Sequence, residues 1–432
     1  MRHSVKLVAT GAIGATLLAT TAVTAGGLSR APSAAHAGKT FNVGAIVTQS
    51  GPLAADFKPY LSGVQAYFDY VDALPNKVNG NSIDLKWPLD DGSSPSLDIT
   101  DAQTLVNTDH AFGVVGVSTP FFNGHTFLSK QKLPVFGYAT GNVWAGPKNF
   151  FADYGSVLNF NSSIPFFAYT AKQVHKTNAA VIALGYPASQ AECKGAIKGL
   201  VTYGLHVKYQ NINEPLNANW GVEATKMQHD SVNFVVNCMD VNSDIALSKA
   251  MSNVGLSTTQ LWLDGYDRTI LSANSSYMQN VYFLLQHVPF EAATAYPTAF
   301  PGLNLYFKEM AKYGFASDQY SDVALMGWES ANLFTMGLRG GGANPTQSSV
   351  VAAINRIKKD IGGPSGGVTA PINWTTAHTR NTSPACETFV KVSGSSFKLA
   401  FNHGAHPWVC FPLGVKANLS KPVAPPKGTP GA

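Results

Sequence analysis

The side chains best placed to do chemistry in this 432-residue sequence are hydroxyls, amides, aromatics and acids that directly follow short apolar runs. Such residues stand after "VGAIV", "GVVGV" and "PVFG" in the first half of the chain, and after "AAVIAL", "FVVN" and "QLWL" in the second. These types suit hydrogen bonding and stacking with a small ligand, and they are poor in groups that could act together as acid, base and nucleophile. The candidate ligand-binding residues are Ser50, Ser118, Thr119, Tyr138, Ala139, Thr140, Gln190, Asp240, Asp264 and Tyr266.

Some of these candidates also have a purely structural explanation. Ser118 and Thr119 could cap the helix that follows them, although a helix N-terminus also attracts anions. Tyr138 and Tyr266 could be packing residues. Asp264 precedes a glycine and could belong to a turn, but a carboxylate at a cleft is also what a ligand ammonium needs. Sequence alone leaves both explanations open for each residue.

Motifs for other chemistries are incomplete. "GLRGGGANP" lacks the Gly-Lys-Ser/Thr of a phosphate loop, and "GYPAS" lacks the spacing of a nucleophile elbow. The histidines form no His-Glu-x-x-His set. We therefore expect no catalytic residues, no cofactor and no metal site.

Strand-like and helix-like segments alternate along the chain, which predicts an α/β fold with parallel sheets and helices on both faces. The pattern occurs twice, near residues 40–160 and 165–285, and two longer helices, a hairpin "ETFVKVSGSSFKLAF" and a Pro/Gly-rich tail follow. Because open α/β sheets bind ligands at the carboxyl ends of their strands, the two halves predict a cleft lined by the candidates. The first long helix has one apolar face, formed by Tyr60, Val64, Tyr67, Phe68 and Val71.

Length and composition limit the class of protein. A chain of 432 residues that is 45% hydrophobic exceeds one ordinary core, so two domains are expected. The net charge of +5 is small, and no cluster of Lys or Arg is present, so nucleic acid is not expected as a partner.

The first 37 residues resemble an export signal. A basic start precedes a small, apolar run, and Ala35-His36-Ala37 matches a cleavage site. A membrane anchor is the alternative, but the run is rich in Gly, Ala and Thr, and polar sequence follows at once. No cysteine stands near the cleavage site, and no later segment is apolar enough to span a bilayer. We expect an exported, soluble protein without a lipid anchor, in the periplasm or at the cell surface.

The four cysteines are Cys193, Cys238, Cys386 and Cys410. An even number in an exported chain favours disulfides, and four cysteines allow three pairings. We favour pairing of sequence neighbours, because Cys386 and Cys410 flank the hairpin pattern. A metal site is the alternative, but the sequence has no Cys-x-x-Cys.

Four segments resemble the type I periplasmic solute-binding proteins of ABC transporters, specifically the branched-chain amino-acid (Leu/Ile/Val) binding branch. They are "IVTQSGPLAADFKPYLSGVQAYFDYVD", "GVVGVSTPFF" with "LPVFGYATG", "AAVIALGYPASQAECKGAIKGL", and "SDVALMGWESANLFTMGL". The resemblance covers most of the chain after the export signal, and the order and spacing of the four segments are more specific than any one of them.

The resemblance implies two Rossmann-like lobes joined by three hinge strands, with a ligand cleft between them. The first lobe would comprise residues 38–162 and 289–368, and the second would comprise residues 163–288 and 369–418. Separately, the Pro/Gly-rich composition of residues 419–432 predicts a disordered tail. The resemblance also implies a monomer that delivers its ligand to an ABC permease in the membrane.

In amino-acid binders of this family, first-lobe hydroxyls hold the α-carboxylate and a second-lobe acid holds the α-ammonium. The corresponding residues here would be Ser118, Thr140 and Asp264. Tyr138 departs from the family, which usually has a small residue there, and Ser189-Gln190 replaces a common aromatic. These departures weigh against leucine, isoleucine and valine, and the branch also includes binders of amides, urea and aromatic acids.

Three other functions compete with solute capture for transport. A sensor domain would use the same fold and present its ligand to a membrane receptor. An exported hydrolase would need a nucleophile with a base, which the sequence does not supply. A structural or adhesive protein would not need polar groups at the strand ends of two matched halves. We therefore expect a binding protein for an amino acid or a related small polar or carboxylate ligand, not an enzyme.

Overall fold

A computed structural model describes residues 38–153, 165–378, 386–402, 406–412 and 415–431. The predicted export signal, residues 1–37, and the predicted lobe boundary at residues 162–163 lie outside the described residues.

The first lobe is built on a parallel sheet of five strands among the described residues, in the order β2-β1-β3-β4-β5. Successive residues of a strand face opposite sides of this sheet. Val115 joins the core cluster under helices α2 (Tyr60–Asp72) and α12 (Asp322–Gly340). Its neighbour Val114 joins the cluster under helices α3 (Pro95–Asn107) and α4 (His125–Leu128). Helices therefore cover both faces, as the alternating sequence predicts. The strands are β1 (Thr40–Val47), β2 (Ser82–Asp90), β3 (Val114–Ser118), β4 (Val135–Gly137) and β5 (Phe150–Ala152).

The predicted helical face of α2 is confirmed, because all five of its apolar residues are buried. The face packs against α12, which comes from much later in the chain. A 3₁₀ turn spans Asn142–Trp144, and another spans Ser317–Gln319. The helices up to the first crossing are α1 (Ala54–Phe57), α2 (Tyr60–Asp72), α3 (Pro95–Asn107) and α4 (His125–Leu128).

The second lobe contains a larger sheet, in the order β12-β11-β10-β9-β8-β6-β7, with β13 paired to β11. Strands β6 to β10 are parallel, and β11 and β12 add the predicted antiparallel hairpin. The strands are β6 (Asn178–Leu184), β7 (His206–Glu214), β8 (Phe234–Cys238), β9 (Thr259–Trp262), β10 (Val281–Leu285), β11 (Cys386–Ser393), β12 (Ser396–Ala400) and β13 (Val409–Cys410).

Helices α5 to α9 belong to the second lobe, and those from α11 onward pack with the first. The helices are α5 (Pro165–Gln173), α6 (Pro187–Thr202), α7 (Trp220–His229), α8 (Val241–Asn253), α9 (Arg268–Asn274), α10 (Phe290–Ala295), α11 (Pro301–Lys312), α12 (Asp322–Gly340), α13 (Gln347–Ile354) and α14 (Trp374–Ala377). None of the described helices is both long and apolar enough to cross a membrane.

The disulfides join Cys193 to Cys238 and Cys386 to Cys410, so the predicted pairing of sequence neighbours is confirmed. The first ties α6 to the end of β8. The second joins β11 to β13, which lie side by side in antiparallel register.

The contacts of α14 differ from the predicted lobe boundary at residue 369. The ring of Trp374 lies 5.3 Å from that of Phe151 in the first sheet, and its indole N–H donates to Asp360 Oδ2 at 2.9 Å. These contacts place α14 against the first lobe, so the last crossing to the second lobe comes later than we expected. Residues 379–385 lie outside the described residues.

The C-terminal segment also differs from the prediction of a disordered tail. The backbone N–H of Val423 donates to the carbonyl of Cys410 at 2.9 Å. The indole N–H of the buried Trp408 donates to the carbonyl of Pro430 at 2.8 Å. The Pro/Gly-rich composition predicts disorder, but composition does not show which distant groups a segment contacts. Here the buried indole of Trp408 needs a hydrogen-bond acceptor, and the carbonyl of Pro430 provides it.

Candidate functional site

A cavity lies where the carboxyl ends of the two sheets face each other. It encloses about 1010 Å³ of space not filled by protein atoms, part of which opens to solvent. The first lobe contributes residues of α1, the loops after β3 and β4, and the start of α12. The second lobe contributes the first turns of α6 and the segments after β8, β9 and β10. The cleft expected at the strand ends is therefore present.

Five of the predicted site residues line this cavity. Tyr138, Ala139 and Thr140 follow β4 in the first lobe, while Asp240 and Asp264 follow β8 and β9 in the second. Asp240 also begins α8 as its N-cap, accepting from the backbone N–H groups of the second and third helical residues. Open α/β sheets bind ligands at the carboxyl ends of their strands, which we call the strand-end rule. Residues from distant parts of the sequence meet at one place in this way.

The hydroxyls of Ser118 and Thr119 lie outside the lining, and neither caps the helix that follows, because the N-cap of α4 is Gly124. Ser118 is fully buried and donates to the carbonyl of Phe57 at 3.1 Å. Thr119 donates to the carboxylate of Asp91. These two residues fix the loops around the cavity.

Ser50, Gln190 and Tyr266 also lie outside the lining. Ser50 is exposed, and its backbone N–H donates to Asp90. The side-chain amide of Gln190 donates to Asn213 Oδ1 at 3.1 Å. Tyr266 is a buried packing residue.

Tyr266 stacks on Phe290, with ring centroids 5.1 Å apart, and donates its hydroxyl hydrogen to Glu291. Its hydroxyl oxygen also accepts from the backbone N–H of Phe290.

Several lining residues were missed by the sequence analysis. Gln286 and His287 directly follow β10, so the strand-end rule would have found them had it been applied to that strand. Glu192 lies in α6, and Asp56 and Asp322 lie in the short α1 and at the start of α12. No local pattern distinguishes these acids from ordinary helix residues.

Contacts between the lobes close the cleft. Tyr138 of the first lobe donates to Asp264 Oδ1 of the second at 2.8 Å. Asp56 Oδ1 accepts from the backbone N–H of Val241 at 3.0 Å. The rings of Phe121 and Tyr186 meet edge to face across the cleft, with centroids 5.3 Å apart.

Burial raises the pKa of the carboxyls that line the cavity. Burial, opposed by the hydrogen bond from Tyr138, raises the pKa of Asp264 to about 6. Burial and then the charge of Asp264 raise the pKa of Glu192 to about 8. Burial followed by the charge of Asp264 also holds the pKa values of Asp56 and Asp322 well above the usual range.

His287 presents an acceptor to this site. Its Nδ1 lies 3.1 Å from the carbonyl of Val288, so Nδ1 carries the hydrogen, and Nε2 is left with a lone pair. Burial lowers the pKa of His287 to about 4, so the ring is neutral at physiological pH. Within the described part of the chain, no three His, Cys, Asp or Glu residues converge as metal ligands. The arrangement is that of a partly open cavity between the lobes, lined by groups that can form hydrogen bonds.

Comparisons with known proteins agree with this architecture. A family model described as "periplasmic binding protein" matches residues 40–395. Among curated proteins, no sequence matches the chain. The type I fold implied by the resemblance is confirmed by similar solved structures.

One is an ABC-transporter substrate-binding protein from Aeropyrum pernix, with a TM-score of 0.70, 16% identity, and coverage of 83% of this chain and 94% of that one. Another is a substrate-binding periplasmic protein from Ralstonia solanacearum, with a TM-score of 0.69, 17% identity, and coverage of 84% and 100%. A third is a solute-binding protein from R. palustris in complex with benzoate, with a TM-score of 0.68, 15% identity, and coverage of 86% and 98%.

Proposed function

The chain belongs to the periplasmic binding protein family, and from that membership we propose that it is an exported solute-binding protein of an ABC importer. It captures a small polar ligand between its lobes and presents the closed form to a membrane permease. Export is supported by the basic start, the apolar run and the cleavage site Ala35-His36-Ala37. We propose that the protein acts as a monomer.

The observation that carries this proposal is the cavity between the two sheets, with lining residues from both lobes. Contacts that a ligand makes with both lobes exist only when the cleft is closed. Ligand therefore shifts the population toward the closed form, which a permease can distinguish from the open one.

The ligand that we propose carries an ammonium group, as an amino acid does, and Asp264 is its partner. Asp264 lines the cavity, and Tyr138 orients it by donating to Oδ1. The carboxylate half of an amino acid has less support, because Ser118 lies outside the lining and Thr140 donates its hydroxyl hydrogen to the carbonyl of Thr119 at 3.0 Å.

The role that we propose is binding without catalysis. A free thiol in the lining could act as a nucleophile, but Cys238 is held in a disulfide with Cys193. The other lining groups are mainly carboxyls, apolar side chains and amides, which suit recognition of a ligand.

A thermal-shift screen tests the proposal. A ligand that binds only the folded protein must raise the Tm progressively with its concentration. We expect a shift with at least one member of a panel of amino acids, amines, amides, urea and aromatic carboxylates. Asp264→Asn should abolish the shift given by an ammonium ligand, whereas Asp84→Asn, an exposed change of the same type on β2, should not. Turnover of a panel member would contradict a pure binding role.

A further inference from the structure

Several buried polar atoms around the cavity have no hydrogen-bond partner, and all of them are acceptors when the carboxyls are ionised. They are Asp56 Oδ2, Asp240 Oδ2, Gln286 Oε1 and His287 Nε2. The relative exposures of Asp56, Asp240 and His287 are 5%, 7% and 0%. A buried acceptor without a donor is costly, so these atoms suit an occupant that donates hydrogen bonds to them.

The acidic groups of the lining all carry the same sign when they ionise. Asp56 and Asp322 come from the first lobe, and Glu192, Asp240 and Asp264 come from the second. Of the described residues that line the cavity, none is Lys or Arg, and His287 is neutral. The occupant that neutralises these groups is a cation.

Three first-lobe hydroxyls that could hold an anion are already engaged. The hydroxyl of Ser118 donates to Phe57, that of Thr119 to Asp91, and that of Thr140 to Thr119. A hydroxyl has a single hydrogen, so none of the three has one left for a ligand carboxylate.

The first turn of α6 is the feature that favours a zwitterion instead. Ala188 and Ser189 line the cavity there, and backbone N–H groups in the first turn of a helix have no acceptor within the helix. These donors suit one ligand oxygen, so the test must compare molecules with and without a carboxylate.

The acceptors do not form a site for a single metal ion. They come from both lobes, and no three of the described acids and histidines converge as metal ligands. Apolar side chains, including Leu53, Phe57 and Met326, lie among them. A lining that combines acceptors from both lobes with apolar side chains fits ammonium groups carried on an alkyl chain.

Resting on the proposed function, we infer that the cleft selects an organic dication, a diamine with a short alkyl chain, over zwitterions and carboxylates. One ammonium group donates to the carboxylates of Asp264, Asp56 and Asp240. The other donates to Gln286 Oε1 and His287 Nε2.

The experiment is calorimetric titration of the purified chain with matched probes. They are 1,5-diaminopentane, L-lysine, which is the same diamine with a carboxylate, 1-aminopentane, which has one ammonium, and benzoate. We expect 1,5-diaminopentane to bind about tenfold or more tightly than each of the others, because it alone satisfies separated acceptors without burying an unpaired anion.

Charge-neutral variants localise the effect. Asp56→Asn keeps an oxygen for Val241, and Asp240→Asn keeps a good helix cap, so both remove charge while preserving local structure. Each should weaken the diamine by about tenfold, with Asp84→Asn as the unaffected control. Binding should also release protons from the lining carboxyls, which appears as a dependence of the measured heat on the buffer.

The outcomes separate this inference from the proposed function. Tighter binding of L-lysine than of the diamine overturns the inference and leaves solute capture intact. Tighter binding of benzoate overturns both the inference and the ammonium partner role of Asp264. If none of the four probes binds, the diamine is excluded, and the wider thermal-shift screen decides separately whether the protein binds solutes.

Discussion

Glu192 lies in α6 with its carboxyl in the lining, and its environment makes the folded protein sensitive to pH. Its pKa is raised from 4.5 to about 8 by burial and then by Asp264. A raised pKa means that the folded state binds the proton more tightly than the unfolded chain. The stability that this group contributes is therefore fully present below about pH 4.5 and is lost as the pH rises through about 8.

We predict that Glu192→Gln flattens the pH dependence of stability in the ligand-free protein. The Tm of the unaltered protein should fall between pH 5 and about pH 9, and that of the variant should fall less, because the amide does not ionise. Thermal unfolding across this range measures the difference. Asp84→Asn, an exposed change, should leave the curve unaltered. Parallel curves for Glu192→Gln and the unaltered protein would contradict the assignment.

At the scale of residues, sequence predicts the site where a side chain directly follows a strand. Asp240 and Asp264 were found in this way, and Gln286 was accessible to the same rule. Asp56 was not, because its position depends on Val241, which lies 185 residues away in the sequence. Ser118 ends strand β3, as the sequence predicts, but its hydroxyl donates to the carbonyl of Phe57 and lies outside the cavity lining.

At the scale of elements, long segments with a regular apolar period were predicted well. Helix α2 and the β11–β12 hairpin are examples, since their patterns repeat over many residues. Strand β5 has three residues, too few for a period, and was missed. Helix α5 was also missed, because six consecutive residues of its nine are buried, and an unbroken buried run shows no alternation of polar and apolar faces.

Helices α2 and α12 approach closely enough that glycine is required at their crossing. A Cβ added to Gly63 would lie 1.7 Å from the carbonyl oxygen of Ala324. A Cβ added to Gly327 would lie 2.0 Å from the carbonyl oxygen of Tyr60. Backbone atoms cannot move aside as a flexible side chain can, so a methyl group at either position forces the helices apart.

We predict that Gly63→Ala lowers the free energy of unfolding by about 1–3 kcal/mol, as overpacking does. Denaturant unfolding measures this change. Gly221→Ala is the matched control, because Gly221 lies in the exposed part of helix α7. There the better helix propensity of alanine should raise the stability by about 0.5–1 kcal/mol. Equal effects at both positions would show that propensity, not the helix crossing, governs the response.

At the scale of the whole molecule, the cavity and the connection between the lobes share residues. His287 lines the cavity, and its carbonyl accepts from the hydroxyl of Thr388 at 2.6 Å. The next residue, Val288, donates its backbone N–H to Val368 at 2.7 Å. The sequence predicts two similar halves, but it does not predict that the segment leaving β10 serves both the ligand site and the crossing between lobes.

Closure can be separated from ligand contact at the mouth of the cleft. Phe121 packs on Tyr186 across the lobes and is not among the lining residues. An edge-to-face aromatic pair contributes about 0.5–1.5 kcal/mol beyond its buried area. We predict that Phe121→Ala shifts the equilibrium toward the open form and weakens binding by about three- to tenfold.

This weakening should be the same factor for every ligand, because the variant changes the population of the closed form and not the contacts inside it. Calorimetry with two ligands from the thermal-shift screen measures the factor, and small-angle scattering measures the opening. Phe121→Leu keeps an apolar contact, so its affinity should lie between that of the unaltered protein and that of Phe121→Ala. Asp240→Asn should instead change the ranking of ligands by charge. If Phe121→Ala changed that ranking too, Phe121 would act on the ligand itself, and closure could not be treated as an equilibrium independent of recognition.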